Sequence, residues 1–298
     1  MIDFIKLYWR DKCLFEAFVC NQENFKDLYS VLNQHSGEIS YPYRTSLGCM
    51  NITVNEKSAN VRNSLHKLHN VILEDKEHNH NDFTYSMLCS TIDYLYCNLF
   101  DVNSASITQM EFGLNIETEI QSEVIIRKNF LMHKLKGFNH NREYHGKGQL
   151  KQFDHSNYVI KVYDKAKQYS IKDKNILRFE LKFLKQKEFQ NLGIINLQDL
   201  KCKVKLRRLF DLLLQRFDEL TIIDEIADSS SILKEDRIKL LEYMTPTFWE
   251  EKLNGVHTQI KSRHRDKFNS ILDKYDLLKT KRVLRYALVN KFNYLIDN

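Results

Sequence analysis

Apolar and polar residues alternate strictly in three stretches of this chain, and those stretches predict its architecture. From Ile176 to Phe183, Leu177, Phe179, Leu181 and Phe183 alternate with Arg178, Glu180 and Lys182, the period of a strand with one buried and one wet face. From Tyr158 to Lys165, Tyr158, Ile160 and Val162 share one face, and Lys161, Tyr163 and Lys165 share the other. From Thr108 to Glu117, Met110, Phe112, Leu114 and Ile116 oppose Gln109, Glu111, Gly113, Asn115 and Glu117. Placed in one sheet, the three strands fix each other's register, because a slip by one residue would turn every buried side chain to water. The polar face then gathers Glu111, Glu180, Tyr163, Lys161, Lys165 and Arg178.

Elsewhere the pattern is mixed. Residues 1 to about 10 read as a strand, Asn21 to Asn33 as an amphipathic helix with Phe25, Leu28, Tyr29 and Leu32 on one side, and Ser46 to Val54 as a strand. The stretch 61–73 is basic and partly alternating, and 74–82 is a polar loop. A helix starts at Asn81-Asp82-Phe83-Thr84 and carries Tyr85, Leu88, Ile92, Leu95 and Leu99 as its apolar stripe. Residues 119–135 read as another helix. Gly137 to Gly148 reads as a flexible basic loop with His140, Arg142, His145 and Lys147, placed to meet a nucleic-acid strand. Past Phe183 the period of two stops, and from Leu197 onward the segments are helical. The fold expected is α+β, an antiparallel sheet with helices packed on one face over 1–196, followed by an α-helical C-terminal region over 197–298. A helix-turn-helix in that region would read duplex DNA, and plain helical support or an oligomerisation surface is the rival reading.

With 8 Gly and 2 Pro in 298 residues the chain has no composition for long linkers. The net charge of +6 is unevenly placed: residues 121–190 hold 16 Lys and Arg against 7 Asp and Glu. That excess coincides with the polar sheet face and favours an anionic partner. The six cysteines form no Cys-x-x-Cys pair and read as reduced core residues, not as a disulfide frame or zinc site. No run is long enough to span a membrane, and the first ten residues do not read as a signal peptide. The compartment expected is the cytoplasm.

Neighbouring strands lie about 4.8 Å apart, and two carboxylates near that distance repel by about 3 kcal/mol at an effective dielectric of 20. Glu111 and Glu180 therefore need a cation, supplied by lysine or arginine or by a divalent ion on oxygen ligands. Tyrosine, carboxylates and basic residues on one open face suggest phosphoryl transfer on a nucleic acid.

Met110-Glu111-Phe112-Gly113-Leu114-Asn115, then Tyr163-Asp164-Lys165, then Leu177-Arg178-Phe179-Glu180-Leu181 stand in an order and spacing that resembles phage and plasmid replication-initiation proteins. The likeness is to the filamentous-phage type and its relatives on phages and plasmids of Bacteroidetes. Ser64-Leu65-His66-Lys67 and Asn81-Asp82-Phe83 extend it, so that it covers about residues 1–190. The resemblance implies a rolling-circle initiator with a replication-initiator nuclease fold, which nicks origin DNA through a tyrosine, holds the 5′ phosphate covalently and later rejoins the strand. Carried over by position, it makes Tyr163 the nucleophile, with Tyr169 as the alternative. It makes Glu111, Glu180 and Asp164 ligands of Mg2+ or Mn2+, and Lys165 a phosphate contact. Lys161, Arg178, Lys182, Arg142 and Lys147 are the basic residues expected to touch DNA. The partners implied are single-stranded or stem-loop origin DNA and a host helicase, in a bacterial cell carrying a phage, plasmid or related element. One departure stands out: His78-Asn79-His80 is the sole His-x-His, with a polar middle residue in an acidic loop, where many such initiators carry His-hydrophobe-His. The rival function is a non-catalytic single-stranded nucleic-acid-binding protein that stacks bases on the same basic, tyrosine-bearing face.

Overall fold

A computed structural model describes residues 1–144, 148–227 and 232–298, with 142–144 described by backbone alone. Strand β1 (Ile2–Trp9) leads through α1 (Cys13–Cys20) to β2 (Tyr29–Leu32), β3 (Ile39–Leu47), β4 (Met50–Val54) and β5 (Ala59–Ser64), then to α2 (Leu65–Glu74) and α3 (Tyr85–Asn98). Next come β6 (Ser106–Glu117), α4 (Ser122–Lys128), β7 (Phe130–His133), β8 (His140–Tyr144), β9 (Gly148–Asp154), β10 (Tyr158–Asp164), α5 (Lys165–Gln168), β11 (Ile176–Phe183) and α6 (Lys187–Gln190). The rest is α7 (Lys203–Asp218), β12 (Leu220–Ile222), α8 (Lys234–Tyr243), α9 (Thr258–Lys274) and α10 (Lys279–Asp297).

Among the described residues ten strands form one sheet in the order β2-β3-β4-β5-β1-β6-β11-β10-β9-β8, and each neighbouring pair is antiparallel. The fold is therefore α+β. The three alternating stretches are β6, β11 and β10, side by side. Their register sets Lys161 opposite Glu180 and Tyr163 opposite Arg178, and Glu180 opposite Gly113 and Lys182 opposite Glu111.

The apolar face is covered by helices. Phe179 meets Phe217 of α7 edge-on at 5.4 Å, Phe112 meets Phe292 of α10 at 6.5 Å, and α4 lies against β9 and β10. Residues on both sides of position 196 share this core, since Leu206, Leu209, Leu213, Leu288 and Phe292 belong to the same buried cluster as Phe112 and Phe179. A second cluster gathers Leu240, Tyr243, Phe248, Trp249, Phe268 and Leu272 around α8 and α9. The chain leaves for that second cluster at Asp224 and returns at Leu277, where the Asp224 amide donates to the Leu277 carbonyl at 2.9 Å.

Three local expectations are corrected. Asn21 to Asn33 is not a helix: the Asn21 carboxamide accepts from the Glu23 amide and Asn24 donates to the Phe18 carbonyl, turns that compete with helix. The chain then enters β2, which pairs with β3. The helix there is α1, eight residues earlier, with Phe15 and Val19 buried. Of 119–135 only Ser122–Lys128 is helical, because Phe130 to His133 pairs with Leu220 to Ile222 as a two-stranded ribbon. The basic stretch 137–148 is not all loop, since β8 adds to the edge of β9.

Candidate active site

The polar face of β6, β11 and β10 carries a linked set of charges. The Lys161 ammonium donates to Glu180 Oε1 at 3.0 Å and to Glu111 Oε1 at 3.3 Å, and Lys182 reaches the same Glu111 oxygen at 3.3 Å. Glu180 Oε2 accepts from Arg178 Nε at 2.8 Å and from the Tyr163 hydroxyl at 3.2 Å. Gly113, lacking a side chain, lets the β11 backbone at Phe179 and Glu180 pack closely against β6. A cleft of about 400 Å3 lies over this face, lined by Glu111, Lys161, Tyr163, Lys165, Tyr169 and Glu180 together with Asp3 and Asn79. Residues far apart in the chain thus converge there.

Electrostatics differ from group to group. Burial opposes the charge on Glu180, but Lys161 and Arg178 overcome it and hold its pKa at about 2. Glu111 is pushed up, by burial first and by the Glu180 charge second, despite Lys161 and Lys182. Burial, with Glu180 beside it, raises the Tyr163 phenol well above its usual value. Lys165, 1% exposed, is brought down to about 7 by burial and by Arg178.

Two residues that periodicity could not find complete the site. Asp3 of β1 accepts from Arg178 at 3.0 Å, from Asn79 at 2.7 Å and from the Ser64 hydroxyl. Burial works against its charge, yet Arg178 and Lys165 keep its pKa below the usual carboxylate range. Asn79 is the hub: its Oδ1 accepts from Lys165 Nζ at 2.7 Å and from the Tyr169 hydroxyl at 2.6 Å. The His78-Asn79-His80 segment therefore delivers its central amide to the cleft, while its two rings lie tilted to each other with centroids 4.4 Å apart and His80 lies 5.1 Å from the Tyr169 ring.

Two expected members are placed otherwise, and two fall outside what the structure describes. Asp164 alternates to the face opposite Tyr163 and caps α5, accepting from the Lys167 amide at 2.9 Å. Arg178 is 2% exposed and its guanidinium is shared among Asp3, Asn115 and Glu180, which leaves it inside the network and away from a DNA surface. The side chain of Arg142 and the whole of Lys147 lie outside the described residues. The backbone of Tyr144 pairs with Gly148, a residue of the cleft wall.

Among the described residues no three His, Cys, Asp or Glu side chains form a ready-made metal site. The donors nevertheless fit a hard cation. Glu111 and Glu180 turn toward one ammonium, an organic stand-in between two carboxylates. Burial and the neighbouring Glu180 charge push the Glu111 pKa up despite Lys161 and Lys182, and a cation held there would offset both. Magnesium is commonly held by one or two carboxylates plus a phosphate, and that is the set available here.

No protein-family model matches the chain, and no curated protein does. Among solved structures the chain is similar to the rolling circle replication initiator protein from Geobacillus stearothermophilus, at 11% identity over 80% of this chain and 90% of that one, with a TM-score of 0.40. No helix among the described residues is long and apolar enough to cross a membrane.

Proposed function

We propose that this protein is a replication initiator that nicks and rejoins one DNA strand through a tyrosine of the cleft, in rolling-circle replication of a phage, plasmid or related element. The observation that carries the reading is the convergence of Tyr163, Tyr169, Lys165, Lys161, Glu111 and Glu180 in one open cleft. A base-stacking role needs aromatic faces presented to solvent, whereas the Lys165 ammonium lies over both rings, 5.4 Å from the Tyr163 centroid and 5.0 Å from that of Tyr169.

Free phenol is a weak nucleophile at neutral pH because its pKa is near 10. Tyr163, the first choice from sequence, donates to a carboxylate too acidic to take its proton. Tyr169 shares an acceptor with Lys165, whose lowered pKa gives a neutral amine in part at pH 7. In this reading the amine takes the phenol proton, the phenolate oxygen bonds to phosphorus, and the phosphorus–O3′ bond breaks. The departing 3′ oxygen takes the proton back from Lys165. One phosphodiester replaces another, so the reverse steps rejoin the strand. Glu111 and Glu180 would hold Mg2+ or Mn2+, which when bound supplies Lewis-acid polarisation of the phosphate. Lys161 and Lys182 balance those carboxylates and lie near the incoming backbone. The partner is single-stranded or stem-loop origin DNA.

The test is direct. Protein, Mn2+ and end-labelled stem-loop DNA are mixed, and the denatured product is digested with trypsin. Tyr163 and Tyr169 fall in separate peptides, 162–165 and 168–172. A DNA adduct on one of the two names the nucleophile. Nicking that survives replacement of both by phenylalanine would reject a tyrosyl intermediate at this cleft.

A further inference from the structure

A second cleft lies at the helical end of the molecule. One wall is the turn joining β7 to the edge strand β8, and the other is the start of α9. Lys134, Lys136, Lys261 and Arg265 line it together with Trp249 and Glu250, and its volume is about 430 Å3.

The turn is a built feature. His133 and Lys136 exchange backbone hydrogen bonds at 2.9 and 3.0 Å, and both residues between them are left-handed, Lys134 at φ 53° and Leu135 at φ 62°. Two-residue turns of this kind favour Asn and Gly, and a bulky residue kept there at conformational cost is a pointer to function. Helix α9 supplies the other wall by its own periodicity. Phe268 and Leu272 are buried in the second cluster, and the same stripe continues one and two turns toward the N-terminus as Arg265 and Lys261. There the stripe stops being apolar and faces the cleft.

The charge is mostly positive, four cations against the Glu250 carboxylate among the described lining residues. Glu250 is bonded to the Gly137 amide at 2.7 Å, and Glu219 is occupied by Arg216 and Lys134. Lys136, Lys261 and Arg265 make no ion pair among the described residues. Trp249 and Phe268 are only 8% and 2% exposed, so no aromatic face is available for base stacking, the usual device of single-strand grooves. Fixed cations without stacking rings match a regular sugar–phosphate backbone.

The geometry points to this cleft as a binding site for the backbone of duplex DNA, separate from the nicking site. It would hold the paired arm of the origin while the single strand enters the other cleft. This assignment does not depend on the nicking chemistry.

Binding of the full chain to a blunt 20-base-pair duplex, about two helical turns, is measured by fluorescence anisotropy from 50 to 200 mM salt. Each phosphate contact contributes about 0.9 to the slope of log affinity against log salt. In the triple variant Lys136→Ala, Lys261→Ala, Arg265→Ala the slope should become shallower by about 2.7 on that scale, and affinity at 100 mM salt should fall at least about tenfold. Nicking of a short unpaired oligonucleotide should be unchanged. The single variant Lys136→Glu should show the same direction of loss, and Lys136→Arg with Lys261→Arg should retain binding. Unchanged slope and affinity in the triple variant and in Lys136→Glu would overturn the assignment, and so would an equal loss for a single strand of the same length. A parent protein that nicks nothing but shows the steep, substitution-sensitive slope would defeat the nicking reading and uphold this one.

Discussion

Lys161 is the residue on which the cleft turns, because its one ammonium bonds both facing carboxylates. Removing one partner of a buried ion pair strands the other, so Lys161→Met should destabilise by about 2–3 kcal/mol at pH 7, at the lower edge of the range for fully buried pairs. Millimolar Mn2+ should then raise the melting temperature of this variant more than that of the parent, since the vacated position is the one a cation would take. Equal shifts in both proteins would remove Glu111 and Glu180 from the metal reading. Lys165 gives a pH signature of the opposite sense. Its folded pKa of about 7 lies below the unfolded value near 10.4, so between those values the unfolded chain binds more protons and stability rises with pH. Below pH 7 the penalty is present in full. Lys165→Met should therefore be more stable than the parent at pH 7, with an advantage that shrinks by about 1–2 kcal/mol by pH 9, read from urea unfolding at the two pH values. Glu111, Glu180, Lys161 and Tyr163 were legible in the sequence because alternation assigns a face. Asp3 and Asn79 were not, because a strand 175 positions from Arg178 and a loop 86 positions from Lys165 meet them only through tertiary pairing. Arg178 was read as a surface cation because nothing local announces the Asp3 carboxylate that draws it inside.

At the scale of elements, β6 is constrained by its one glycine. A Cβ at Gly113 would stand 2.7 Å from the Phe179 carbonyl oxygen and 3.0 Å from Glu180 Cα. Both are backbone atoms of β11, which cannot rotate away. Gly113→Ala should force β6 and β11 apart, cost about 1–3 kcal/mol as overpacking does, and displace Glu180 from Lys161. Urea unfolding reads the first effect, and nicking rate the second. A variant with parental stability would show that the strands part freely and that Glu180 is not held by this register. The central strands were readable because each buries one face and wets the other. The edges were not: Leu28, Tyr29 and Leu32 imitate a helical stripe yet are 40%, 66% and 58% exposed. The stretch 119–135 misleads for another reason: apolar residues such as Phe130 and Met132 are buried, but Phe130 to His133 is drawn into a ribbon by a partner about 90 residues later.

At the scale of the molecule, the helical region after residue 196 serves two cores, a division that helical periodicity alone does not distinguish. Helices α7 and α10 cover the sheet, burying Leu206, Leu209, Leu213, Phe217, Leu284, Leu288, Phe292 and Leu295. At about 1.5–3 kcal/mol for each large apolar side chain, their loss exceeds the whole stability of an ordinary domain. A chain ending at residue 196 should therefore be insoluble or molten, with dye-binding apolar surface, and a cooperative thermal transition in it would show that the sheet needs no cover. Helices α8 and α9 stand differently. Their segment departs and returns at a single hydrogen bond between Asp224 and Leu277, and the Asp224 carboxylate also accepts from the Lys279 and Thr280 amides that open α10 at 2.8 and 3.0 Å. Replacing residues 225–276 by a short glycine-serine link should leave the sheet, its cover and the nicking cleft in place, at the cost of exposing Met132 and Ile223. Such a chain should unfold cooperatively and still form the tyrosyl adduct, while its duplex affinity drops to the level of the triple cation variant. If adduct formation vanished with the fold intact, α8 and α9 would have to shape the nicking cleft from a distance, and the separation of chemistry from duplex holding would not stand.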